Sequence, residues 1–274
     1  EFGDAVVNTL SYQMARHFNR PARGAYVANP GYVFGSAGVP RGAVITAVNG
    51  TAIAGIADLE GAVDKLGDGD RTTIRYATID DPNGSQLRSV RMDRRWFPAQ
   101  RCKRNDGTGY WDCRALATPP PPKAPVAGST VFQTVSDPQV ARIVPSLVTV
   151  TFDMPYAVAG VTERHYYGTG LVVDAARGLV VVDRNTVPVS LGDVRVTFAG
   201  TLEVPGRVVF VHPLHNLAML QYDPTLIGTT PVRSAKLGRK PLRAGDEVTV
   251  VGLAPDTGIK SRTTSVADID PVAL

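Results

Sequence analysis

From residue 5 to residue 92, short apolar runs alternate with turn residues, and one stretch carries a helical period. Ala5-Val6-Val7 starts as a strand. Residues 10–18 predict a short helix with Ser11 as its N-cap. Ala25-Tyr26-Val27-Ala28 predicts a strand closed by Asn29-Pro30-Gly31. The run Ala43-Val44-Ile45-Thr46-Ala47-Val48 meets Asn49-Gly50, a strong hairpin signal, and resumes at Thr51-Ala52-Ile53. Over 58–66, Leu59, Ala62, Val63 and Leu66 recur at i, i+3, i+4 and i+7, the spacing of one helix face. Gly67-Asp68-Gly69 ends that helix. Residues 72–77 and 87–92 alternate as strands do.

The pattern then stops at Thr118-Pro119-Pro120-Pro121-Pro122-Lys123-Ala124-Pro125. Consecutive prolines fit neither a helix nor a sheet interior, so this stretch reads as a polyproline II spacer. A proline-motif ligand is the other reading. The expected division is a domain over 1–115, a linker over 116–128 and a second domain over 129–274. Beyond the linker nearly every apolar run is strand-like: 147–152, 170–173, 179–182, 194–198, 208–211, 217–222 and 247–251. Short strands at this spacing predict a sandwich or barrel, and the chain as a whole is expected to be mainly β.

Composition narrows this picture. Of 274 residues, 43% are hydrophobic, which excludes wholesale disorder. No apolar run approaches the ~18 residues of a membrane span. Glu1 and Asp4 stand where a secretory leader would be basic, so the chain is expected to start after a processing site or inside a longer parent, and the second is preferred because Ala5-Val6-Val7 already reads as a strand. Net charge is only +4, but the segment 88–104 concentrates Arg88, Arg91, Arg94, Arg95, Arg101, Lys103 and Arg104 around Trp96 and Phe97. Its readings are a weak nucleic-acid or anionic-membrane patch, or a solvated strand-and-hairpin face; with no nucleic-acid motif present, the second is preferred. Cys102 and Cys113 flank a segment with Asp106-Gly107 at its middle, a turn signal. A hairpin there sets the two cysteines opposite one another, as a cross-strand disulfide or as two unpaired small hydrophobes. No further Cys or nearby His completes a metal site, and no cofactor is expected.

The run Gly38-Val39-Pro40-Arg41-Gly42-Ala43-Val44-Ile45-Thr46-Ala47-Val48-Asn49-Gly50, followed by Ile56-Ala57-Asp58-Leu59-Glu60-Gly61-Ala62-Val63, resembles a PDZ domain of the HtrA type. The resemblance implies a PDZ-like α+β domain that binds an extended peptide as an added strand. Hydrophobic C-terminal or unfolded peptides are the expected partners. Thr9-Leu10-Ser11-Tyr12 is the candidate carboxylate loop, with Leu10, Ser11 and Tyr12 as site residues; Leu59, Val63 and Leu66 are the candidate groove wall.

Past the linker, Tyr167-Gly168-Thr169-Gly170-Leu171-Val172-Val173 and Gly178-Leu179-Val180-Val181-Val182-Asp183-Arg184-Asn185 resemble the protease domain of the same family. That implies a trypsin-like double β-barrel, here partial. By this resemblance Asn185 stands where active members carry the catalytic histidine. Asn216, in Asn216-Leu217-Ala218-Met219-Leu220, stands where they carry the aspartate. An amide has no lone pair basic enough to take a proton from a serine near neutral pH. The residues after Asn216 contain no Gly-x-Ser-Gly segment. His215 as a displaced base, or His212 with His215 as a metal pair, are the rescue options, and both are disfavoured. Leu10-Ser11-Tyr12-Gln13, the segment 104–112 and Val211-His212-Pro213-Leu214-His215-Asn216 resemble the double-length HtrA branch.

The expected function is therefore the peptide-binding and assembly portion of an HtrA-like serine endopeptidase of protein quality control, itself catalytically inactive. Its parent is expected to be a homo-oligomer, with a trimer as one option, no membrane span and no nucleic-acid partner. An active protease with a rearranged site is the alternative. The cysteine pair places the protein outside the cytoplasm, in a bacterial periplasm, with an organelle or nucleus of a eukaryote as the alternative.

Overall fold

The computed structural model describes residues 1–97, 99–156, 158, 159, 161, 163–254 and 258–268. It divides into two units, Glu1–Ala124 and Pro125–Leu274. Residues 116–128 carry no regular secondary structure.

The first unit is an α+β fold. In chain order it has β1 (Val6–Thr9), α1 (Tyr12–His17), β2 (Ala25–Asn29), α2 (Gly31–Ser36), β3 (Ala43–Val48), β4 (Thr51–Ala52), α3 (Ile56–Val63), β5 (Arg71–Thr78) and β6 (Gln86–Arg91). A separate hairpin, β7 (Gln100–Arg104) and β8 (Trp111–Ala115), follows. The sheet runs β1-β2-β3-β5-β6, with β4 paired to β3 through the Asn49-Gly50 turn. Asn49 (φ 45°) and Gly50 (φ 77°) both adopt the left-handed conformation that a tight hairpin turn requires. Val27, Val33, Phe34, Ile45, Ile74, Tyr76 and Met92 form the centre of the core.

Three local readings change. The first helix starts at Tyr12, because Ser11 Oγ accepts the Met14 N–H at 3.2 Å and caps it there. The helix expected over 58–66 runs Ile56–Val63. It starts earlier because the Asp58 carboxylate accepts the N–H groups of Ala54 (2.8 Å) and Gly55 (3.2 Å). The third is α2: Gly31, expected to close the turn after β2, begins a helix that the sequence does not announce. Tyr32, Val33 and Phe34 are all buried there, so the segment has no polar face to mark a helical period.

The second unit opens with α4 (Pro138–Ile143), capped by Asp137. Then come β9 (Leu147–Asp153), β10 (His165–Asp174), β11 (Leu179–Val182), β12 (Asp193–Phe198), β13 (Leu202–Val211) and β14 (Ala218–Tyr222). These six close into a barrel in the order β10-β11-β14-β13-β12-β9. Alternate residues fill it: Val148, Val150 and Phe152 from β9, and Val194, Val196 and Phe198 from β12, are buried. β13 extends six residues before the predicted 208 because it pairs with β12 through Pro205 and Gly206. Last come β15 (Glu247–Leu253) and β16 (Ile259–Ser265), a two-stranded hairpin. β16 had no apolar alternation to announce it: Lys260, Ser261, Arg262, Thr263 and Thr264 are polar and exposed. The chain is thus mainly β, a PDZ-like domain followed by one closed barrel and a hairpin of the second barrel of a trypsin-like fold.

Candidate peptide groove and the paired asparagines

β1 is an edge strand, so one side of its backbone has no strand partner among the described residues. The apolar face of α3 lies beside that edge. Between them is a cavity of about 700 Å³, lined by Val6, Val7, Asn8 and Thr9 from β1 and by Ile56, Leu59, Glu60 and Val63 from α3. An unpaired strand edge with an apolar wall beside it can accept an extended chain as an added strand.

Of the residues singled out in the sequence, Leu59 and Val63 line this cavity. Leu66 does not; it packs on the main core from the turn after α3. Leu10, Ser11 and Tyr12 lie at the far end of β1. Leu10 is buried with Ala15 and Val44, Ser11 caps α1, and Tyr12 points to solvent. None of the three lines the cavity, whereas Glu1 and Phe2, before β1, do. An antiparallel strand added to β1 ends beside residues 1–5.

The hairpin expected around Asp106-Gly107 is present, but its place beside the groove was not legible in the sequence. Gln100, Arg101, Cys102, Lys103, Trp111 and Cys113 line the same cavity. Cys102 pairs with Cys113 in register and the two are disulfide-bonded, with Cα atoms 4.0 Å apart. Arg101 and Arg114 reach the Glu60 carboxylate at 2.7 and 3.5 Å and tie the hairpin to α3. No local signal could have found this, because Glu60 and Arg114 meet only in the folded domain. Three basic residues of the segment 88–104 are paired within the first unit, one of them buried. Buried Arg94 bonds Asp68 and the carbonyls of Val63 and Leu66, Arg95 pairs with Asp93 and Arg101 with Glu60.

In the second unit Asn185 and Asn216 line one cavity of about 700 Å³ together with Tyr166, Arg184 and His215. Asn216 Oδ1 accepts the Arg184 N–H at 2.7 Å, which clasps the loop carrying Asn185 to the loop carrying Asn216. Arg184 Nη1 reinforces that clasp by donating to the carbonyls of His212 (3.2 Å) and Pro213 (3.0 Å). Gly168 lets β10 pass close by, since a Cβ there would lie 2.1 Å from Thr186 Oγ1. The site therefore keeps a folded cleft in which Asn185 and Asn216 lie together with the titratable side chains of His215 and Glu163. His212 Nδ1 accepts the N–H groups of Leu214 (3.2 Å) and His215 (3.0 Å), so that nitrogen is already engaged within its turn. Among the described residues no three His, Cys, Asp or Glu side chains converge as a metal site.

Residues 1–69 match the family model described as a PDZ-like domain. Over 271 residues, 97% of this chain, it is 37% identical to the pro-apoptotic serine protease nma111 of Neosartorya fischeri. It is 35% identical over 274 residues to the protein of that name from Coccidioides immitis. Identity is 34% over 272 residues to a PDZ domain-containing protein of Schizosaccharomyces pombe. The chain belongs to the HtrA-type family of PDZ-containing serine proteases. It is similar within that family to fungal pro-apoptotic serine proteases, and it spans about a quarter (26%) of the length of the first of these relatives. These relatives are eukaryotic, so the expected bacterial periplasm has no support and the eukaryotic alternative fits. No helix among the described residues is long and apolar enough to cross a membrane.

Proposed function

We propose that this chain is the peptide-binding and assembly portion of an HtrA-like serine endopeptidase of protein quality control, and that it cleaves nothing itself. The observation that carries the binding half is the open edge of β1 facing Leu59 and Val63 of α3 across an apolar cavity. A peptide laid there gains main-chain hydrogen bonds from β1 and buries alternate apolar side chains against α3. Leu59→Arg places a charge in that wall. It is expected to weaken binding of groove-directed peptides by at least about tenfold, since desolvating the guanidinium offsets the apolar burial. Calorimetric titration checks this, and unchanged affinity would place the peptide elsewhere.

Inactivity is supported by the chemistry of Asn185 and Asn216. Neither amide can accept the serine proton or stabilise an imidazolium. The purified chain is expected to leave fluorescent casein intact at a rate equal to buffer. Turnover that is lost on His215→Ala would instead establish a rearranged site. The parent is proposed to be a homo-oligomer, with the barrel unit contributing surface. Its place is proposed to be an organelle or the nucleus of a eukaryotic cell, as the fungal relatives favour.

A further inference from the structure

The end of the groove where a peptide's C-terminus would sit is already occupied by the protein's own backbone. β1 runs from Val6 to Thr9, so an antiparallel strand on its free edge would finish beside residues 1–5. Capturing a terminal carboxylate there requires backbone N–H groups that are free and convergent. Two of those in the turn before β1 are engaged. Phe2 N–H donates to Ala5 O (2.9 Å) and Ala5 N–H donates to Phe2 O (2.8 Å), closing a two-residue turn through Gly3 (φ 53°) and Asp4 (φ 65°). Gln100 N–H donates to Glu1 O at 3.0 Å, which ties the hairpin to this end of the groove. Gly3 O is held in turn by the N–H groups of Tyr32 and Val33 at the start of α2.

Electrostatics gives no replacement. The charged residues lining the groove are Glu1, Glu60, Arg101 and Lys103, which balance. Arg101 is committed to Glu60. The β7–β8 hairpin, stiffened by its disulfide, stands at this end as a third wall and offers Trp111 and the Cys102 and Cys113 side chains as further apolar contacts.

We propose that the groove takes an internal, extended segment of an unfolded chain, with apolar side chains at alternate positions, and that a free terminal carboxylate adds nothing to its affinity. This rests on the groove being the peptide site. The ligand would run past the hairpin wall instead of ending at it, with β1 supplying main-chain bonds and α3, Trp111 and the disulfide supplying apolar contact.

The test selects on the whole 274-residue chain with two random peptide libraries, one displayed with free C-termini and one displayed as internal segments. Binders are then synthesised as acid and amide forms and measured by fluorescence anisotropy. The expected result is enrichment from the internal library, acid and amide affinities within about twofold of one another, and loss of both on Leu59→Arg. Enrichment from the free-terminus library alone, with about tenfold or greater loss on amidation, would overturn the proposal while leaving the groove as the peptide site. No Leu59-dependent binder from either library would remove the groove reading and the proposal with it.

Discussion

Arg195→Met is expected to lower the unfolding free energy of the barrel unit by about 3–5 kcal/mol at neutral pH, a large share of a domain's stability. The cause is Asp153, buried at the end of β9. Arg195 on β12 is its diagonal cross-strand neighbour, because Arg195 pairs in register with Thr151. His165, directly opposite Asp153 on β10, bonds the same carboxylate through Nδ1 at 2.8 Å. Burial raises the carboxyl pKa, but the His165 bond and the Arg195 charge outweigh it and hold Asp153 below its ordinary value. Met keeps the length of the arginine stem and removes the charge, so a buried carboxylate is left without its main counter-ion.

The pH dependence has a definite sign. A carboxyl with a depressed folded pKa contributes stability above its unfolded value, about 3.9, and loses that contribution as pH falls through the folded value. The gap between native chain and Arg195→Met should therefore be widest at pH 7 and shrink below about pH 4. Urea unfolding followed by far-UV circular dichroism at the two pH values checks this. Both tryptophans, Trp96 and Trp111, lie in the first unit, so their fluorescence reports that unit separately. A gap that stays constant with pH would show that Asp153 does not depend on Arg195.

Gly31→Ala is expected to destabilise the first unit by about 3 kcal/mol or more, through both backbone strain and overlap. Gly31 begins α2 with φ 54°, where an L side chain is strained. A Cβ there would lie 2.1 Å from the Asp4 carbonyl carbon and 2.3 Å from the Ala5 nitrogen. Backbone cannot rotate away as a side chain can, so the turn over residues 2–5 has to move. That turn closes the groove, and its displacement should free the Phe2 and Ala5 N–H groups. Tryptophan fluorescence in urea measures the loss. Gly61→Ala, in the exposed interior of α3 with nothing within 4 Å of its added Cβ, is the control. It should be neutral or stabilising by up to about 1 kcal/mol. Equal midpoints for the two variants would contradict the packing described for Gly31.

Much of this protein was legible in its sequence because the relevant signals are local. Hairpin formation at Asn49-Gly50 depends on two residues that tolerate the left-handed conformation. The strands of the barrel announce themselves by apolar alternation, since each has one face inside. The two asparagines could be singled out by resemblance to the protease pattern, and their inability to exchange a proton follows from the amide group alone.

Tertiary structure decided what crosses between elements. Sequence order cannot say that β1 is an edge strand, so it could not show which end of β1 receives a peptide's terminus. Position 10 illustrates the error: Leu10 is apolar and adjacent to a strand, yet its side chain is spent on Ala15 and Val44. Glu60 with Arg101 and Arg114, Asp153 with Arg195, and Glu1 with Gln100 are contacts between distant residues, and no period or motif encodes them. Composition and local pattern therefore determined a mainly β, two-part chain. Only closure of the sheet and the barrel decided which backbone groups remain free to bind, because a hydrogen bond satisfied within the fold is no longer available to a ligand.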